Sequence, residues 1–158
     1  MNFAPSISVI LFLTICFSNM AAFAAENKRQ LAKNVITVVK QAEDYIKKHG
    51  KAKALQVFKK SHKNIFAIEF DGTILVSPIY PETVGTNQLN YKDPAGRLVV
   101  QEEINKAKAG GGWLKGRYRK NHQTGEYACR KLYILPMKDH YFIGSWYYYP
   151  AQNGICPM

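Results

Sequence analysis

Lys131 and Tyr133 stand two residues apart in a β-rich stretch, Y-A-C-R-K-L-Y-I-L. On a strand that spacing puts an ammonium and a phenol on one face. A small carboxylate taken out of water needs such groups, because a buried anion without a cation or hydroxyl donors is expensive. Tyr118 and Tyr147, in the two flanking β-rich segments, offer further hydroxyls. The plainer reading of each tyrosine is a core or surface aromatic, and of Lys131 a solvated lysine.

Other chemistry finds little support. Ser61 and His62 are adjacent at a helix end, a geometry that gives no triad, and Ser77 and Ser145 lack a nucleophile motif. His49, His62, His122 and His140 show no H-x-x-x-H pairing and no ligand spacing to a cysteine, so no metal site is expected. Asp71, before Gly72, and Asp93, before Pro94, read as turn formers. The glycines at 110, 111 and 112 lead into a strand where a phosphate loop would open a helix. The chain reads as a non-enzyme that needs no cofactor.

The totals set the compartment. A length of 158 residues suits one domain with a real core. Residues 7–17 form an apolar run of signal-peptide length, and Ala22, Phe23 and Ala24 present small residues where a signal peptidase reads. Cleavage is expected after Ala24, giving a soluble periplasmic or secreted product. No Lys or Arg precedes the apolar run, so an uncleaved membrane anchor is the alternative. Residues 1–24 carry no charged side chain, and the remainder keeps the formal charge of +11. That excess favours anionic partners, although most lysines read as solvated surface; an exported protein is not expected to meet nucleic acid. Export leaves Cys129 and Cys156, which are expected to pair in an oxidising compartment and to tie back a tail over residues 150–158.

The elements that must position these groups follow from periodicity. In residues 26–49, Leu31, Val35, Val38, Ala42 and Tyr45 recur at steps of four and three, an amphipathic helix ended by Gly50. Residues 54–58 suggest a second, short helix. Residues 64–70 and 73–77 read as a hairpin closed by a two-residue Asp71-Gly72 turn. A long loop punctuated by Pro78, Pro81, Gly85, Pro94 and Gly96 then reads as a binding wall. Residues 97–109 read as a crossover helix, and residues 113–120, 127–135 and 141–149 as an antiparallel meander. Alternation along 113–120 puts Trp113, Lys115, Arg117 and Arg119 on one face, and Leu114, Gly116 and Tyr118 on the other. The expectation is an α+β, PAS-like domain with five antiparallel strands. The long helix covers one face, and loop plus crossover helix cover the other, leaving a cup.

Several motifs sharpen this reading. Asp71-Gly72-Thr73-Ile74-Leu75, Gly85, Asn87, the run Lys92-Asp93-Pro94-Ala95-Gly96, the glycines before Trp113, Lys131-x-Tyr133 and the closing aromatic Tyr147 resemble the single Cache domains, extracytoplasmic small-molecule sensors, over roughly residues 35–149. The resemblance implies a ligand pocket between sheet and loop, with Lys131, Tyr133, Tyr118 and Tyr147 around it. Gly116 and Tyr118 stand where the family carries a tyrosine and another aromatic, and Trp146 stands where it carries a small glycine. One change opens the cup and the other fills it, so Gly116 and Trp146 join the candidate site.

The organisation read from the chain is a leader over 1–24, an amino-terminal helix over 25–50, a sensor core over 51–149 and the tail over 150–158. The expected ligand is a small organic acid, with a membrane receptor or histidine kinase as signalling partner. The rival reading is a basic envelope interaction module with a vestigial pocket.

Overall fold

The computed structural model describes residues 7–61 and 64–157, with residues 7–24 described by their backbone alone. The leader expected over 1–24 therefore lies outside the residues whose side chains are described, as does His62. The chain divides into two units, residues 1–33 and 34–158. The described part of the first is helical throughout and belongs to helix α1 (Ile7–His49). Everything that follows concerns the second unit.

From residue 34 onward, α1 buries Val35, Val39, Ala42 and Ile46, a stripe at steps of four, three and four. Gly50, at φ 80°, ends the helix with its N–H donating to the Ile46 carbonyl at 2.8 Å. Helix α2 (Lys51–Lys60) follows at once and buries Ala54 and Phe58. It is longer than its apolar residues alone suggest.

Strands β1 (Phe66–Glu69) and β2 (Ile74–Val76) form the expected hairpin. Its loop is one residue longer than the expected two-residue turn: Glu69 N–H donates to the Thr73 carbonyl at 2.9 Å, leaving Phe70, Asp71 and Gly72 in between. Gly72 takes φ 98° and packs so closely on Leu89 that a Cβ there would lie 2.7 Å from that side chain. The long loop is ordered by this contact, by Asn87 Nδ2 donating to the Asp71 carbonyl at 2.8 Å, and by Asp93, which accepts from Arg97. It includes one short 3-10 turn, η1 (Pro81–Thr83). The crossover helix is α3 (Val99–Lys108).

Strands β5 (Tyr127–Met137) and β6 (Tyr141–Tyr149) are the long members of the sheet, whose order is β2-β1-β6-β5, all antiparallel. The segment expected as one strand over 113–120 is two short ones, β3 (Gly112–Trp113) and β4 (Arg117–Lys120), both on the same edge of β5. Trp113 pairs with Tyr133 and Arg117 with Arg130, so the edge strand advances four residues while β5 advances three. This one-residue bulge reverses the alternation, and Trp113 and Arg117 point to opposite faces instead of sharing one.

Two cores flank the sheet. On the α1 side, Val39, Ala42, Ile46 and Phe58 pack on Ala67, Tyr141 and Ile143. On the α3 side, Val99, Val100, Ile104 and Ala107 pack on Phe66, Ile68, Leu132 and Phe142. The architecture is thus the expected α+β sandwich of helix, antiparallel sheet, then loop plus crossover helix. Cys129 and Cys156 are bonded, with Cα atoms 5.5 Å apart, and the tail turns back at Asn153 and Gly154, where Gln152 and Ile155 exchange backbone hydrogen bonds of 2.9 Å.

Candidate ligand-binding site

A cavity of about 300 Å³ lies between the sheet and the cover formed by α3 and the long loop. Its floor is built by alternate residues of the strands: Phe66 and Ile68 on β1, Ile74 on β2, Leu132 on β5 and Trp146 on β6. Val99 and Val100 of α3 close it from above, and Tyr80, Gln88 and Tyr91 of the loop stand at its mouth. Tyr80 and Tyr91 are about half exposed there.

One end is charged. Arg130 and Arg119 enter from β5 and β4, and Glu103 from α3. Arg130, Arg117 and Glu103 are all buried. Arg117 spans the helix and the sheet, with Nη1 donating to Glu103 Oε1 at 3.3 Å and Nη2 donating to Glu102 Oε2. Burial, reinforced by the neighbouring Arg119 charge, pulls the Arg130 pKa down; Glu103 and a hydrogen bond with Tyr148 oppose it. A guanidinium under such pressure still keeps its proton at neutral pH. Burial pushes the Glu103 carboxyl up, against the opposing charges of Arg117, Arg130 and Arg119.

Two donors in this wall have no hydrogen-bond partner among the described residues: Arg130 Nε and Trp146 Nε1. They are neighbours, since the guanidinium lies 5.9 Å from the centre of the Trp146 ring. Behind them His122 Nδ1 is 3.2 Å from the Tyr148 hydroxyl. Burial and the Arg130 charge both hold the His122 pKa below its usual value, so this imidazole is neutral at pH 7. The Tyr148 hydroxyl, itself beside His122, also bonds the Arg130 guanidinium and helps fix it, while Nε keeps no partner among the described residues. Such an array can bind an oxyanion by charge-assisted hydrogen bonds.

Of the residues singled out in the sequence, Trp146 lines this cavity. Lys131 and Tyr133 lie on the opposite face of β5, because Arg130, Leu132 and Ile134 take the cavity side. Tyr133 packs with the α1-side core and edge-on to Trp113 at 5.2 Å, and Lys131 Nζ sits 5.5 Å over the same indole. Tyr147 is buried on that face as well, 5.5 Å from Trp113. Tyr118 is exposed and stacks on Tyr127 at 5.3 Å. Gly116 is not a gap in a pocket wall: a Cβ there would lie 2.0 Å from the Tyr149 hydroxyl, which donates to the Pro157 carbonyl and helps hold the tail. These five positions are therefore corrected out of the cavity lining.

Arg130, Arg119 and Glu103 were the residues missed. Apolar residues of both parities on β5 hid which face is covered by which helix, and the bulge at residues 114–116 hid that Arg117 and Arg119 align with Arg130. The available signal was Arg130 itself, an arginine placed at even spacing with Leu132 and Ile134 in a strand otherwise destined for burial. Among the described residues no group of three or more His, Cys, Asp or Glu side chains is arranged to hold a metal ion, and no helix is long and apolar enough to cross a membrane.

A sheet with a helix on one face, and a loop and helix enclosing a small cavity on the other, defines a ligand-holding α+β module. The Cache domain model matches residues 19–149, and the chain belongs to that family. The match opens inside the stretch read as a leader. Over 84 residues, 52% of this chain, the sequence is 33% identical to the sensor histidine kinase MctS of Rhizobium johnstonii, and that stretch spans 18% of the kinase's length. A methyl-accepting chemotaxis protein from Vibrio parahaemolyticus shares the fold at TM-score 0.67 with 18% identity, covering 82% of this chain and 96% of that one. A Cache chemosensory domain described for carboxylic acid recognition does so at TM-score 0.57 with 15% identity, over 83% and 97% of the two chains.

Proposed function

We propose that this chain binds a small organic anion in the cavity under α3, outside the cytoplasm, and acts in signalling through a receptor or histidine kinase partner. The observation that carries the reading is a pair of buried donors with no partner among the described residues, Arg130 Nε and Trp146 Nε1, on two residues that line one cavity. Leaving a buried donor unsatisfied typically costs about 1–3 kcal/mol, a cost that a bound carboxylate offsets. The apolar floor of Phe66, Ile68 and Leu132 takes the rest of the ligand. The partner class is carried over from the sensor kinase and chemotaxis proteins that the chain resembles. Export rests on the apolar run over residues 7–17 and the Ala22-Phe23-Ala24 site, with Ala25 as the expected mature amino terminus.

A thermal-shift screen against carboxylates, sulfonates, phosphates and their neutral amides tests this. A bound anion at about 100 times its dissociation constant stabilises the protein by roughly 2.7 kcal/mol, a clear rise in melting temperature. Arg130→Met is expected to lower the affinity by about 10- to 100-fold, the range for losing a charge-assisted bond. Stabilisation by the amides alone, or an unchanged response in Arg130→Met, overturns the assignment.

A further inference from the structure

The charged end of the cavity has an uneven count. Arg117 and Arg119 come from β4 and Arg130 from β5, while Glu102 and Glu103 come from α3. Arg117 is shared between both carboxylates, and Glu103 also lies within the fields of Arg119 and Arg130. Three guanidinium groups against two carboxylates leave a surplus of one positive charge. The remaining groups facing this end do not alter the count at neutral pH: His122 from the β4–β5 turn is held neutral, and Tyr148 from β6 is a phenol bonded to Arg130. At the mouth, Glu82 of η1 is exposed and adds negative charge, beside the phenols of Tyr80 and Tyr91.

We propose that Glu103 is a specificity-determining residue that holds this end of the cavity to one negative charge, so that a ligand carrying two is taken up only together with a proton. The proposal deepens the anion-site reading above and rests on it. One carboxylate against Arg130 and Trp146 brings the buried charges into balance. A second leaves an uncompensated negative charge beside the buried Arg117, Arg130 and Glu103, and an uncompensated buried charge is costly. The proton that relieves it comes from solvent and goes to the Glu103 carboxylate. That group is buried in the wall and already inclined toward its neutral form, and a second anion nearby inclines it further. Arg117 then keeps Glu102 as its charged partner. No other carboxylate of the cavity lining is buried, since Glu82 lies in solvent.

Matched probes test the proposal. At roughly 30 Å³ per water the cavity holds about ten non-hydrogen atoms, which suits glutarate, its monoamide and its diamide, three molecules of nearly the same shape with two, one and no charges. Binding to the purified full chain is measured by calorimetry near neutral pH, and proton uptake by an indicator dye in weakly buffered solution. The expected result is that the monoamide binds at least about tenfold more tightly than glutarate, and that glutarate binding takes up about one proton per site. In Glu103→Gln the gap narrows to within about threefold and the uptake disappears, a readout that a merely structural role for Glu103 would not move. Equal affinities for the two acids without proton uptake in the wild type overturn the proposal, even if Glu103→Gln proves too unstable to use. An unchanged gap in a folded Glu103→Gln does the same. Diamide binding as tight as monoamide binding instead sinks the anion-site reading itself, and no binding by either acid at millimolar concentration removes both.

Discussion

The two faces of the sheet are made by alternate residues of the same strands and yet differ in kind. On the α1 side Val39 and Ile143 are fully buried, and Tyr141 nearly so, in a continuous apolar layer. The α3 side has a comparable dry portion around Ile104, Ile134 and Phe142, but next to it the chain buries Arg117, Arg130 and Glu103 and leaves an indole N–H and a guanidinium N–H without a partner among the described residues. Close packing is the norm for interiors, and buried polar groups are normally paired. A domain of this size can leave a cavity with unsatisfied donors on one face because the other supplies stability that does not depend on ligand. In this comparison the α1 face sustains the fold, and under the proposed binding the α3 face trades some of that stability for a ligand.

Substitutions that act on one face alone sharpen the contrast. The largest effect is expected for Ile143→Ala, which removes a fully buried side chain from the α1-side core. Losing its methyl groups and leaving a cavity typically costs about 2–5 kcal/mol. Ligand affinity should persist in the folded fraction, and a combined denaturation and binding measurement in which both fall together would blur the division of labour. Next comes the disulfide, which closes a separation of 27 residues and fixes the tail over the far end of the same face. Replacing both Cys129 and Cys156 by serine should cost about 3.5 kcal/mol in the chain-entropy model, again without a change in affinity.

Asp93 belongs to the other side, where it organises the loop that walls the cavity. Its carboxylate accepts from the backbone N–H groups of Ala95 and Arg97 at 3.0 Å, and from Arg97 Nε and Nη2 at 3.0 and 2.7 Å. Burial alone would raise its pKa, but the Arg97 bonds and charge and the backbone donors outweigh that and leave it below the usual value. A depressed carboxyl contributes stability that is present above the unfolded pKa of about 3.9 and is lost as pH falls through the folded value. Asp93→Asn should therefore cost about 1–2 kcal/mol near neutrality, a figure discounted because Arg97 is 40% exposed. It should also flatten the acid limb of the stability curve below about pH 4, and should weaken binding because the loop carries Gln88 and Tyr91 to the mouth.

The contrast also accounts for what could be read in the sequence. Periodicity located α1, α3, the hairpin and the two long strands, because each carries an apolar repeat that only one secondary structure can bury. The Cys129–Cys156 pairing was legible because these are the two cysteines outside the stretch read as a leader. The cavity's place between sheet and loop could be read, and Trp146 falls in its lining, but its charged end could not be read. On β5 both parities are apolar, so alternation gave two faces without saying which one α1 covers. On the edge, alternation was counted through Gly116 as though the strand were continuous, and the bulge at 114–116 reversed it. Nor does a sequence show that Glu102 and Glu103, one turn into α3, meet Arg117 across the cavity end. Such pairings are long-range products of the fold.

The smallest expected effect is the one that probes the two faces most directly. Lys131 flanks Arg130 in sequence, and Tyr133 lies two residues beyond Lys131, yet both side chains emerge on the α1 side, against Trp113. The sheet stands between them and the cavity. Tyr133→Phe removes one hydroxyl from a half-buried ring, and Lys131→Met removes a charge whose field at the cavity is screened by solvent over a Debye length of about 8–10 Å. Tyr133→Phe keeps the ring in the α1-side core and Lys131→Met keeps the aliphatic stem, so neither opens a cavity; each should change stability by less than about 1 kcal/mol, and each should leave anion affinity within about twofold. Arg130→Met, one residue away, should lose it by 10- to 100-fold. Adjacent positions on one strand would then report on opposite layers of the molecule. If Lys131→Met or Tyr133→Phe instead weakened binding tenfold while the fold stayed intact, the ligand would have to lie on the α1 side, and the cavity under α3 would lose its claim to be the binding site.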